Sequence, residues 1–116
     1  MDFNDEIGLE PDVTVRNRDF RIGAIGAGMI MADVHLEAYR QADFTVAAIA
    51  SRTKSKAEAL AERYGIPVVH DTPTDLIEDP SIDIIDIAYP PDQQPALIRH
   101  ALAQPQGPGA GLQAVL

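Results

Sequence analysis

The sequence predicts an α/β protein built on a doubly wound parallel sheet. Three observations support this prediction. Short apolar runs alternate with stretches of helical periodicity, as expected of parallel strands joined by crossover helices. The apolar runs are nearly continuous, which is typical of strands covered on both faces. The first run ends in a Gly-x-Gly turn and is followed at once by a helical pattern.

The spacing of apolar residues assigns the strands and helices in order. Four strands are predicted, at 20–25, 44–50, 66–70 and 82–88. Helical spacing predicts four helices, at 29–41, 54–64, 73–78 and 95–104. Thr53 and Thr72 are expected N-caps, Pro73 fits a first helical position, and Gly65 suits the end of a helix.

Only the middle of the chain has this pattern. Residues 1–18 are polar and acidic and are expected to form a disordered extension, whereas residues 19–104 form the predicted domain. Residues 105–116 are an uncharged tail rich in glycine and proline. A doubly wound sheet normally has more than four strands, but no further strand pattern follows the fourth one here. We therefore expect the sheet of this chain to be truncated after about four strands. The exposed edge of the fourth strand, residues 84–88, would then favour weak stability or self-association, unless the tail covers that edge.

Composition narrows the possible functions. The chain has 116 residues, enough for one domain, and a net charge of -9, which argues against nucleic acid as a partner. It has no cysteine, and His35, His70 and His100 are too far apart for a metal-site spacing, so no metal is predicted. No apolar run approaches the ~18 residues of a membrane helix. We therefore expect no membrane partner and a cytoplasmic location. His35 is expected to be a helix residue that its neighbours partly cover.

The glycine turn is the first candidate site. Gly26 permits a tight reversal, and Gly28 allows a bound group to approach the backbone. Amides at the start of the next helix suit a phosphate. The spacing matches the start of the dinucleotide fingerprint G-x-G-x-x-G/A, although Met31 holds the third position and Ala32 follows it. A turn that only packs strand on helix is the alternative, but the βαβ context favours a Rossmann-type pyrophosphate site.

The end of the second strand is the next candidate, because ligands bind at the carboxyl ends of parallel strands. Ser51 could bond a ribose hydroxyl or a phosphate, and Arg52 could stack on adenine or pair with a 2′-phosphate. The acid that usually marks NAD is absent here. Arg52, Lys54, Lys56 and Arg63 are clustered in an acidic chain, which favours NADP slightly. A solvated helix face would explain the same cluster.

The end of the fourth strand is the third candidate. Residues 89–92, with Gln93 and Gln94 after them, would line the ribose on the nicotinamide side, or else form only a stiff turn. Methyltransferases that use S-adenosylmethionine also have a glycine turn after their first strand. They typically place an acid after the second strand, where Ser51 and Arg52 stand here, so this alternative fits poorly.

Three groups of residues together resemble the amino-terminal part of the Gfo/Idh/MocA oxidoreductases, the glucose-fructose oxidoreductase and inositol dehydrogenase family. They are residues 21–28 followed by His35 and Leu36, residues 51–53 leading into 57–65, and residues 83–91. The resemblance implies a Rossmann-type domain that binds NAD or NADP. In the family, a second domain then binds a sugar or cyclic polyol for hydride transfer.

The resemblance also implies which residues contact the cofactor. They are Gly26, Gly28, Met29 and Ile30 for the pyrophosphate, Ser51 and Arg52 for the adenosine, and Tyr89, Pro91 and Gln94 for the nicotinamide side. The family's Glu-Lys-Pro motif has no counterpart, since no lysine follows Lys56. No catalytic residue is therefore assigned, and we expect the chain alone to be inactive. A non-catalytic module that binds a dinucleotide or a partner is the alternative function.

Overall fold

The computed structural model describes residues 20–89 and 92–104, together with a short strand at 114–115. Its strands are β1 (Arg21–Ile25), β2 (Thr45–Ala50), β3 (Val68–Val69), β4 (Ile84–Ile87) and β5 (Ala114–Val115). They form one parallel sheet in the order β3-β2-β1-β4-β5. The strand before the glycine turn, β1, is thus central, and the chain reverses its winding direction between β3 and β4. This arrangement confirms the predicted doubly wound α/β fold.

The helices lie close to their predicted positions. They are α1, which starts at residues 29–30 and runs through a π-helical turn (Met31–His35) into α-helix (Leu36–Gln41), then α2 (Lys54–Tyr64), α3 (Pro73–Ile77) and α4 (Gln94–Leu102). The Thr72 hydroxyl caps α3 by accepting a hydrogen bond from the Asp75 amide at 3.1 Å. Thr53 occupies the N-cap position of α2 without a side-chain cap bond, and Gly65 ends α2 with φ +69°.

The core has two layers, one on each face of the sheet. One layer joins Ala24 and Ile49 to Met31 and Leu36 of α1 and to residues of α2. The other joins the opposite side chains of β1, β2 and β4 to α3 and α4. Alanines are numerous in both layers, which lets the helices lie close to the strands. Because parallel strands alternate their side chains between the faces, each apolar run serves both layers.

The fourth strand is not an open edge along its whole length. Ile84 pairs with Ala114 and Ile85 with Val115, so part of the predicted tail supplies a fifth strand. At these two residues the edge is therefore not unpaired, because backbone from the tail covers it, which was the stated alternative. The predicted extension at 1–18 and the remainder of the tail lie outside the described residues.

The carboxylate of Asp79 connects β3 to the segment before β4. Its Oδ1 accepts hydrogen bonds from the Ser81 amide at 2.9 Å and the Ser81 hydroxyl at 2.8 Å, and its Oδ2 lies 2.9 Å from His70 Nε2. Burial alone would raise the pKa of Asp79, but the hydrogen bonds from Ser81 and His70 outweigh it and hold the pKa below 3.8.

This carboxylate makes stability fall in acid. A lowered folded-state pKa stabilises the protein above the unfolded pKa, and the contribution is lost as the pH falls through the folded value. We expect Asp79→Asn to lower the free energy of unfolding at pH 7 by about 1 to 2 kcal/mol and to flatten its decline below about pH 4. Urea unfolding at several pH values measures both effects. Asp43→Asn, at an exposed residue with φ 62° that asparagine tolerates, is the control. An unchanged acid limb in Asp79→Asn would contradict this account.

Candidate functional site

The carboxyl ends of β1, β2 and β4 together line one cleft. Its walls are Gly26, Ala27 and Gly28 after β1, Ser51, Arg52, Thr53 and Lys56 after β2, and Ala88 and Tyr89 after β4. Two of the three candidate sites in the sequence, with part of the third, therefore meet in space. They meet beside the central strand, where an open parallel sheet binds its ligand.

The two glycines of the turn serve different purposes. Gly26 has φ +119°, and a Cβ there would lie 2.5 Å from the Ala88 carbonyl oxygen. The same residue donates its amide to the Ala50 carbonyl at 2.8 Å, so this glycine joins the ends of three strands. A Cβ on Gly28, in contrast, would meet no atom within 4 Å. Gly26 is thus required by the fold, whereas Gly28 leaves the backbone open to a bound group.

The methionines do not block this turn. Met29 is 76% exposed and Ile30 is 57% exposed, and both side chains project outward at the start of α1. Met31, which replaces the third small residue of the fingerprint, is fully buried in the core. That small residue normally allows a helix to pack closely on the sheet. In this chain a π-helical turn begins at Met31, where the larger side chain is buried.

Ser51 and Arg52 both line the cleft, but they are held differently. The buried Ser51 hydroxyl accepts a hydrogen bond from the Thr53 amide at 3.0 Å and donates to the Thr53 carbonyl at 2.7 Å. Its proton is therefore used within the turn before α2. The Arg52 guanidinium lies 5.4 Å from the centre of the Tyr89 ring, a cation–π contact that joins the ends of β2 and β4.

The basic cluster of the sequence is divided by the fold. Lys54 pairs with Asp71 at 2.5 Å, and the Arg63 guanidinium lies 5.0 Å from the centre of the Tyr64 ring. Arg52 and Lys56 are the members of the cluster that line the cleft. The positive charge available to a ligand thus comes from two of the four cations named above.

A second cavity continues from the cleft. It is lined by Ile30, His35, Ile87, Ala88, Tyr89 and Gln94. Gln94 donates its side-chain amide to the Tyr89 carbonyl at 2.6 Å, which ties the start of α4 to the end of β4. Tyr89 and Gln94 are thus brought together with Ile30, as a nicotinamide-side group would require. Pro91 lies outside the described residues.

Tyr89 has one unusual property. The residue is 9% exposed, and among the described residues its hydroxyl makes no hydrogen bond of good geometry, although the Arg52 backbone lies close to it. Burial raises the pKa of Tyr89, and the positive charge of Arg52 and its backbone N–H both oppose that rise. A buried hydroxyl without a partner is costly, so this atom remains available to a ligand in the cleft.

Sequence reasoning missed the partner of His35. The Asp86 side chain is 4% exposed, and its Oδ2 lies 2.8 Å from His35 Nδ1 and 2.5 Å from the Tyr39 hydroxyl. The one available signal was an acid within the otherwise apolar strand at 84–87. Within the described ranges, no group of three or more His, Asp and Glu side chains is placed to hold a metal ion. None of the described helices is long and apolar enough to span a bilayer.

Similar structures have the same architecture. An oxidoreductase from Thermotoga maritima matches with 33% identity and a TM-score of 0.69, over 72% of this chain and 26% of that one. A Sinorhizobium meliloti protein assigned as a myo-inositol dehydrogenase matches with 32% identity and a TM-score of 0.63, over 71% and 24%. A variant of KijD10, a 3-ketoreductase from Actinomadura kijaniata in complex with TDP-benzene and NADP, matches with 31% identity and a TM-score of 0.65, over 72% and 26%.

The chain thus spans about a quarter of the length of these structures. No curated protein matches it. Residues 20–106 match the family described as "Oxidoreductase family, NAD-binding Rossmann fold", the Gfo/Idh/MocA family, in agreement with the resemblance noted in the sequence. The central β1, the glycine turn and the cleft lie within this matched region. This chain belongs to the Gfo/Idh/MocA oxidoreductase family and comprises its NAD-binding Rossmann domain.

Proposed function

We propose that this chain binds NAD(P) across the ends of β1, β2 and β4, with NADP preferred over NAD. The observation that supports this most directly is the open side of Gly28 beside Arg52 and Lys56. A diphosphate requires close approach to backbone amides and positive charge nearby, and the cleft supplies both. The Tyr89 hydroxyl, which makes no hydrogen bond of good geometry among the described residues, is a further donor or acceptor for the ligand.

The chain's residues take the following roles in this proposal. The backbone at Gly26, Gly28, Met29 and Ile30 holds the pyrophosphate. Arg52 holds the adenosine end, with Ser51 shaping the turn beneath it. Tyr89, Pro91 and Gln94 border the nicotinamide end. When bound, the nicotinamide ring supplies hydride transfer chemistry.

The reaction of longer relatives is also part of the proposal. A structurally similar protein is assigned as a myo-inositol dehydrogenase and another is a 3-ketoreductase, so we infer a sugar or cyclic polyol as the substrate class. The 116-residue chain contains no lysine after Lys56 that could serve as the family's catalytic lysine. We therefore propose that it binds the cofactor without transferring hydride on its own. We also propose a cytoplasmic location.

Preference for NADP is expected to depend on Arg52. Arg52 lines the cleft, and none of the described residues that line it is an acid that could accept the ribose hydroxyls of NAD. We expect NADPH to bind about tenfold more tightly than NADH, and Arg52→Ala to remove that difference, because one charge-assisted contact is lost. Titration calorimetry of the whole chain with both nucleotides measures this.

The control is Arg63→Ala, which removes an arginine of α2 that is stacked on Tyr64. It is expected to keep the preference of the unaltered chain. Absence of binding for both nucleotides would refute the proposed function. Binding of both with equal affinity would refute only the preference. Measurable oxidation of a polyol panel by the chain with NADP would refute the proposed inactivity.

A further inference from the structure

Asp86 is a buried carboxylate in the sheet, and the proposed cofactor role does not use it. It lies on β4 with apolar neighbours, and its side chain is 4% exposed. Burying a carboxylate costs free energy unless hydrogen bonds compensate, and an apolar residue in its place is often as stable. Packing alone therefore does not explain an acid at this position, and its two hydrogen-bond partners indicate a further role.

Both partners come from α1 and converge on one oxygen. The Tyr39 hydroxyl donates to Asp86 Oδ2 at 2.5 Å, and His35 Nδ1 lies 2.8 Å from the same oxygen. Burial and the hydrogen bond to Asp86 raise the pKa of Tyr39, so this hydroxyl keeps its proton and remains a donor. A carboxylate only accepts hydrogen bonds, so His35 must place a proton on Nδ1.

That assignment determines what the other ring nitrogen can do. In the neutral ring with its proton on Nδ1, Nε2 is an acceptor. No described residue is a partner of Nε2, and 31% of the His35 side chain is exposed. His35 also lines the second cavity, together with Ile30, Tyr89 and Gln94. His35 also borders a neighbouring cavity with Ala38, Tyr39 and Asp86. Its side chain thus lies at the wall of the cavity assigned to the nicotinamide end, with Nε2 as the ring nitrogen that has no described partner.

We propose that Asp86 orients His35 so that its Nε2 accepts a hydrogen bond from the nicotinamide half of the bound dinucleotide. His35 is then a cofactor-binding residue, and Asp86 and Tyr39 are positioning residues that act through it. This inference rests on the proposed function. The donor on the ligand is an O–H of the nicotinamide-side ribose or an N–H of the carboxamide, and both have the same hydrogen-bond chemistry toward Nε2.

The test compares three ligands on the whole chain by titration calorimetry. ADP has neither donor, ADP-ribose has the ribose hydroxyls, and NADH has the ribose and the carboxamide. His35→Asn keeps an amide that can bond Asp86 but removes the acceptor at the Nε2 position. We expect it to weaken NADH about three- to tenfold and to leave ADP unchanged. Weakening of ADP-ribose as well would assign the donor to the ribose, whereas unchanged ADP-ribose would assign it to the carboxamide.

Two further variants separate positioning from folding. His35→Gln extends an amide toward the Nε2 position and is expected to recover part of the NADH affinity. Asp86→Ala removes the acceptor that orients the ring and is expected to weaken NADH as His35→Asn does. The control is His100→Asn, which alters a histidine of α4 paired with Glu78 at 3.0 Å. Urea unfolding of each variant verifies that it is folded. If Asp86→Ala does not fold, the result for His35→Asn alone tests the inference.

The outcomes discriminate between the two proposals. If no nucleotide binds the unaltered chain, the proposed function fails, and this inference fails with it. If all three ligands bind but His35→Asn leaves their affinities unchanged, the inference alone is overturned. Equal weakening of ADP, ADP-ribose and NADH would also overturn it, since that result shows only a structural role for His35.

Discussion

Replacing Gly26 with alanine is expected to lower the free energy of unfolding by about 2 to 6 kcal/mol. At φ +119° an alanine is strained, and its Cβ would lie 2.5 Å from the carbonyl oxygen of Ala88. That oxygen is backbone at the end of β4 and cannot rotate away as a side chain would. Because small domains are marginally stable, we expect much of the variant to be unfolded at 37 °C. Urea unfolding followed by circular dichroism measures the change.

Gly28→Ala is the matched control for this experiment. It alters a glycine two residues away whose added Cβ would meet nothing within 4 Å. We expect its unfolding midpoint to equal that of the unaltered chain. If Gly26→Ala were as stable as Gly28→Ala, the close contact between this turn and β4 would be refuted.

Gly28→Glu is expected to abolish dinucleotide binding while leaving the fold intact. The added side chain would stand where a diphosphate must approach the backbone, and its charge would repel the phosphates. We expect the affinity for NADPH to fall at least about a hundredfold, or close to 3 kcal/mol. Titration calorimetry measures the affinity, and urea unfolding shows that the variant is folded.

The charge itself needs its own control. Thr74→Glu adds the same charge at an exposed residue of α3, which is not part of the cleft. We expect it to bind NADPH as the unaltered chain does. Unaltered binding by Gly28→Glu would show that the pyrophosphate lies elsewhere, and the proposed function would lose its main support.

Local sequence was sufficient for most of the fold. Thr72 with Pro73 marks the start of α3, and Gly65 marks the end of α2, because caps depend on neighbouring backbone. The short β5 was missed because a two-residue strand after a glycine-rich tail has no periodicity to recognise. The helix expected at 29–41 is confirmed, but its π-helical turn at Met31–His35 was not predicted, since local periodicity does not distinguish such a turn from α-helix.

The residues that line the cleft were predicted in part. The glycine turn and the end of β2 were recognisable, since each follows a strand at a known spacing. The division of the basic cluster could not be predicted, because Lys54 meets Asp71 only in the arrangement that places β3 beside β2. The contact between Arg52 and Tyr89 likewise requires that β4 pair with β1, although β2 and β3 lie between these two strands in the sequence.

The amino-acid sequence by itself determined the order of strands and helices, the need for glycine at the turn and the family to which the chain belongs. These properties follow from short-range spacing and backbone sterics. The tertiary structure alone decided that Asp86 meets His35 and Tyr39, which are 51 and 47 residues away. The physical reason is that a buried carboxylate must find its hydrogen-bond donors wherever the sheet places them, and no local pattern records which helix will lie above it.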